Sequence, residues 1–138
     1  AFSYARARRS VYRLATDGPG ARADAEAAVR LRTTDYPVEA EAALAAAEFR
    51  GGDTLAARTR LQDLSRVSPT LGPQATYFVA VALTVSGDRE AALRVLERLE
   101  PRGAILWSMM RDPWFDAIRA EPRFQRLVEE SRPPGALR

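Results

Sequence analysis

The chain has 138 residues, a formal net charge of +3, 46% hydrophobic residues and 28% charged ones. Those proportions suit one folded domain rather than a disordered segment. No run approaches the roughly 20 apolar residues needed to span a bilayer, so a cytoplasmic chain with no membrane contact is expected. Cysteine and histidine are absent, and all 21 basic residues are arginine. That removes disulfides, thiolate metal sites, the usual general base, the Schiff-base lysine and the phosphate-loop lysine. We expect no enzyme, no catalytic residue, no metal and no cofactor.

In chain order, the first 16 residues hold arginines and no acid, the composition of a transit peptide. However, Tyr4, Ala5, Val11, Tyr12 and Ala15 share one helical face, and Arg6, Arg9 and Arg13 share another. An amphipathic helix over residues 2–16 explains this pattern better. The breakers Gly18-Pro19-Gly20, Pro37, Gly51-Gly52-Asp53, Pro69, Gly87-Asp88 and Pro101 divide the rest of the chain. Between them lie segments rich in Ala, Leu, Glu and Arg, all good helix formers. The spacing predicts helices near 21–33, 38–50, 53–67, 71–86 and 88–100, then a shorter one near 103–110. Two more come near 113–119 and 122–131, and 132–138 reads as a tail. No segment alternates steadily at period two, so no sheet is expected.

Asp53 and Asp88 each follow a glycine and precede a helical run. The glycine can end one helix in the left-handed conformation and the aspartate can cap the next. Such short connections fold two helices into an antiparallel hairpin. The two signals stand 35 residues apart and Gly20 lies 32 residues before Gly52, a spacing typical of helical repeats. The first helix of the 38–69 hairpin offers Leu44 beside Ala45; its second offers Ala57, Leu61 and Leu64, closed by Pro69. The next hairpin repeats this with Val79 and Ala80, then Ala92, Leu96 and Leu99. Ala25, Val29 and Pro37 match in the first unit.

These residues resemble the tetratricopeptide repeat family, with its large-small pair, its alanine on the second helix and the apolar residues after it. The resemblance implies an all-α superhelix of about three hairpins (2–37, 38–69, 70–101) and a cap over 102–131. The match departs where the family carries aromatic residues: Glu41 and Thr76 replace one, Glu48 and Leu83 the other. The segment from Asp112-Pro113-Trp114-Phe115 to Arg123-Phe124-Gln125-Arg126-Leu127 resembles the ending of such arrays in bacterial multidomain signalling proteins. Asp112 with Pro113, and Pro122, open helices there. Phe115, Ile118, Phe124, Leu127 and Val128 supply apolar faces, and Trp107 and Met110 cover the array's end. Arg119, Arg123, Arg126, Glu129 and Glu130 would form the polar outer face such an end requires. With Ala1 first, the chain is expected to be part of a larger protein.

The function the resemblance implies is a non-catalytic scaffold that binds a peptide or protein partner on its concave face. By helical phase that face carries Glu39, Ala42, Ala46, Phe49 and Arg50 from one hairpin. From the next it carries Gln74, Tyr77, Val81 and Thr84. Phe49 and Tyr77 would be anchors and Arg50 a carboxylate partner. Both aromatics are also open to a reading as repeat core, Phe49 more readily. Two alternatives stand beside this one. The arginines Arg6, Arg9, Arg13, Arg30 and Arg32 could contact nucleic acid, or the array could mediate self-association as a homo-oligomer. The pI of 9.9, carried by scattered arginines, is weak support for the former.

Overall fold

A computed structural model describes residues 2–31, 37–67, 72–98 and 104–136. Within them the chain is all-helical, with no strand. Six α-helices come first: α1 (Phe2–Arg13), α2 (Gly18–Arg30), α3 (Pro37–Arg50), α4 (Thr54–Val67), α5 (Pro73–Val85) and α6 (Arg89–Glu97). A short α7 (Ala104–Met109), a 3-10 helix (Pro113–Ile118) and α8 (Pro122–Ser131) close the order. Each of the first six helices packs on the next, α1 on α2 and so on to α5 on α6. In addition α1 packs on α3 and α3 on α5, so alternate helices form a continuous inner row. The 3-10 helix and α7 pack on α5, and α8 packs on α6 and α7.

The turns after α3 and α5 share one hydrogen-bond pattern. The amide of Asp53 donates to the Glu48 carbonyl at 2.8 Å and that of Gly52 to Phe49 at 3.1 Å. Thirty-five residues on, Asp88 donates to Leu83 at 3.0 Å and Gly87 to Thr84 at 3.1 Å. Gly52 and Gly87 have φ of 89° and 83°. Each therefore ends its helix in the left-handed region, where a side chain would be strained. The Asp88 carboxylate accepts from the Ala91 amide at 3.1 Å, capping α6 as its position suggests.

Two boundaries differ from expectation. α1 stops at Arg13, and α2 begins at Gly18 rather than 21. The Gly18-Pro19-Gly20 run does not break the chain here. Asp17 caps it, its side chain accepting from the Gly20 amide at 2.9 Å, with Pro19 in the first turn. Asp112 differs too. It stands at the N-cap position of the 3-10 helix, but its carboxylate makes no capping bond. It accepts instead from the Tyr77 hydroxyl at 2.7 Å.

The core follows the paired residues. Leu44, Ala45, Ala57, Val79, Ala80, Ala92 and Leu96 are buried, as are Ala25 and the cap residues Met110, Phe115, Ile118, Phe124 and Leu127. Val29, Leu61, Leu64 and Val128 are partly buried against them. Leu99, Pro69 and Pro101 lie outside the described residues. Glu41 and Glu48, which stand where the resembled family has aromatics, both receive one arginine. Arg60 of α4 reaches Glu41 at 2.5 Å and also bonds Glu48, whose side chain is buried. An arginine between two carboxylates thus ties α3 to α4. Similar ties join other helices. Arg9 and Arg13 bind Asp24 at 2.5 and 3.1 Å, holding α1 to α2. Arg123 binds Glu90 at 2.6 Å and also Glu97, holding α8 to α6. Arg123 is thus a bridge rather than part of a merely solvated outer face. Arg119 likewise turns back to the carbonyls of Met110 and Asp112, at 3.1 and 2.8 Å.

Candidate functional site

The inner row of helices places the residues that sequence phase assigns to a concave face. Arg50 and Gln74 are exposed there and Phe49 is half-buried. Glu39, Ala42, Ala46, Tyr77, Val81 and Thr84 are all buried. Tyr77 is 6% exposed and Val81 0%, so neither offers an anchoring surface. The Thr84 hydroxyl is turned inward, donating to the Ala80 carbonyl of its own helix at 2.7 Å. Burial of Glu39 pushes its carboxyl above the usual range. An open groove along these residues is therefore not what the chain forms. Phe49, Arg50 and Gln74 are the members left with accessible surface.

Aromatic side chains account for the difference. Tyr4 of α1 meets Phe78 of α5 edge to face, with ring centroids 5.9 Å apart, while α3 packs against both helices. Phe78 meets Tyr77 at 5.4 Å, Tyr77 meets Phe115 at 6.1 Å, and Phe115 meets Phe124 at 5.8 Å. The rings run from the first helix into the last. Alanines at positions 42 and 46 leave room for this close approach. The Tyr77 hydroxyl, the polar end of this run, is satisfied by Asp112. Burial first, and then that hydrogen bond, push the hydroxyl above its ordinary range.

Two exposed arginines lie against aromatic rings, one on α1 and one on the cap. Tyr4, Arg8 and Tyr12 occupy successive turns of α1, one row at i, i+4 spacing. Arg8 Nη2 donates to the Tyr12 hydroxyl at 2.9 Å, and its guanidinium lies 5.7 Å from that ring's centroid. The hydrogen bond to Tyr12, aided by one to Tyr4, raises the Arg8 guanidinium above its ordinary value. Tyr12 is 56% exposed. On the cap, Arg111 lies 4.8 Å from the centroid of the Trp107 ring, and Asp112 follows it in the chain. None of these residues belongs to the expected groove. The Tyr4-Arg8-Tyr12 spacing was legible; the role of Asp112 depended on the fold of the cap.

The arginines considered for nucleic acid are partly spent. Asp24, buried on α2, takes both Arg9 and Arg13. The hydrogen bond from Arg9, then the charges of Arg9, Arg13 and Arg6, hold its carboxyl below the usual range. Arg6 and Arg30 are exposed, and Arg32 lies outside the described residues. Among the described residues, no three His, Cys, Asp or Glu side chains gather in a metal-holding arrangement, and no helix is long and apolar enough to cross a membrane. No protein-family model matches the chain, and neither a curated protein nor a solved structure does.

Proposed function

We propose that this chain is a stack of helix pairs of the tetratricopeptide kind, acting as a non-catalytic scaffold for a protein partner. The observation that carries this reading is the packing order. Each of the first six helices packs on the next, α1 packs on α3 and α3 on α5, and turns of one backbone pattern stand 35 residues apart after α3 and α5. A one-dimensional stack of this kind presents a long surface on rigid elements, a geometry suited to recognising another chain. The lack of histidine, cysteine and lysine supports a binding role over a catalytic one. Engagement of Arg9 and Arg13 by Asp24 favours protein over nucleic acid, since those charges are already compensated. The resemblance of the Asp112–Leu127 segment to array endings in bacterial signalling proteins suggests a cytoplasmic assembly of that class.

The test is selection from a random peptide display library against the whole chain, with a 20-base-pair DNA duplex as competitor ligand. The scaffold reading expects peptides that still bind at 200 mM salt. A duplex bound more tightly than any peptide, losing about 10³-fold or more in affinity between 50 and 200 mM salt, would place the function with nucleic acid instead.

A further inference from the structure

We infer that the Asp112–Ile118 segment of the cap is a built-in ligand, filling on α5 the surface at which the scaffold takes its partner. The partner segment that displaces it carries the same column of groups: a carboxylate, an aromatic ring three residues later and an aliphatic side chain three beyond that. This rests on the scaffold reading above and adds the place and the chemistry of binding. Three observations lead there.

First, the segment meets α5 as a peptide meets a groove. The Tyr77 hydroxyl donates to the Asp112 carboxylate at 2.7 Å, and Phe115 meets the Tyr77 ring edge to face at 6.1 Å. A charge-assisted hydrogen bond beside a buried ring is the usual make-up of an interface anchor. Tyr77 is also the residue that helical phase offers as an anchor on the concave face, with exposed Gln74 one turn before it. Second, the segment spends one column of side chains on the contact. A 3-10 helix has about three residues per turn, so Asp112, Phe115 and Ile118 stand in line. Phe115 and Ile118 are fully buried, whereas Pro113, Asp116 and Ala117 are exposed. Third, the segment is shaped by contacts other than its own helix. Asp112 leaves the 3-10 helix without a side-chain cap, and its carboxylate goes to Tyr77 instead. Arg119 folds back on the carbonyls of Met110 and Asp112 at 3.1 and 2.8 Å, closing the segment on itself.

A tethered segment competes with any partner at a high local concentration. The apparent affinity of the partner is reduced by the fraction of chains whose surface is free. Loosening the segment therefore tightens binding of a free copy of it. Packing with no binding role gives no such gain, and that difference in sign makes the inference testable.

The experiment titrates a fluorescein-labelled peptide of residues 110–119 with the whole chain, reading anisotropy, with circular dichroism of every variant. Asp112→Ala in the chain weakens the internal competitor and should tighten peptide binding about tenfold, and Phe115→Ala by more. Adding Tyr77→Phe to Asp112→Ala should take that gain away, about tenfold, because the aspartate of the free peptide loses its donor. A peptide carrying Asp112→Ala should likewise bind the Asp112→Ala chain about tenfold more weakly than the natural peptide does. Arg126→Gln, on an exposed position of α8, should bind as the wild type does. If Phe115→Ala does not fold, Asp112→Ala with and without Tyr77→Phe decides alone. Equal binding to the wild type and Asp112→Ala, binding to neither, or a gain that Tyr77→Phe leaves untouched overturns the inference. A wild-type dimer in light scattering that Phe115→Ala dissociates also overturns it, giving the surface to a second copy. Each of these strikes this surface alone; only failure of the display selection counts against the scaffold itself.

Discussion

Arg60 shows how much one residue carries in this chain. It serves Glu41 and Glu48 together, and the second of these is buried with its Oε2 bonded to nothing among the described residues. Removing the cation leaves a carboxylate in a site that cannot hydrate it. Arg60→Ala should therefore lower unfolding free energy by about 3–5 kcal/mol in urea titration. Arg94→Ala, whose partner Glu90 is exposed and 3.9 Å away, should cost no more than about 0.5 kcal/mol. Asp24 and Glu39 make a pH pair of opposite sign. The Asp24 carboxyl is held low by Arg9, so its stabilisation is present above the unfolded value near about 4 and is lost as pH falls through the folded value. Glu39 is raised by burial, so its charged form destabilises the fold at neutral pH and protonation relieves this as pH falls. Thermal melts at pH 7 should thus show Asp24→Asn below the wild type and Glu39→Gln above it. The Glu39→Gln difference should shrink as pH falls towards about 4, and the Asp24→Asn difference only below about 4. The charge pattern alone did not reveal these roles. Glu39 and Glu41 look alike in sequence, and only the packing of α4 gives one of them an arginine.

At the scale of elements, hairpin turns were legible because their chemistry is local. A left-handed glycine followed by an aspartate is written in two adjacent residues; both glycines take up the left-handed conformation, and the Asp88 side chain caps the helix after its turn. Gly52→Ala and Gly87→Ala should each cost about 1–2 kcal/mol, because the added methyl is strained at positive φ. Gly72→Ala, at φ −66° with open space around it, should cost nothing. Matching urea midpoints for Gly52→Ala and wild type would contradict the left-handed turn. The start of α2 and the cap were less legible for a physical reason. Gly18-Pro19-Gly20 carries breaker residues, yet Asp17 supplies the capping acceptor that lets them begin a helix. Asp112 had two possible partners, its own helix or a distant hydroxyl, and sequence spacing cannot choose between them. The fold chose Tyr77, 35 residues away. Tyr77→Phe should therefore cost about 1–2 kcal/mol and raise amide exchange in Met110–Ile118 more than in α2. Equal exchange in the two regions would show that the bond does not hold the cap.

For the whole molecule, the succession of helix pairs could be read from breaker spacing, whereas the state of the inner face could not. Helical phase grouped Ala42, Ala46, Tyr77 and Val81 on one face, but it could not show that all four would be buried and that Tyr77 would pack against Phe115 of the cap. Proton NMR reads directly the aromatic run that closes the inner face. Nuclear Overhauser cross-peaks between the rings of Tyr4 and Phe78, and between those of Tyr77 and Phe115, are expected at their 5.9 and 6.1 Å centroid separations. Absence of both sets from a folded sample would mean that the inner face is open, with the groove of Phe49, Arg50 and Tyr77 accessible to a partner.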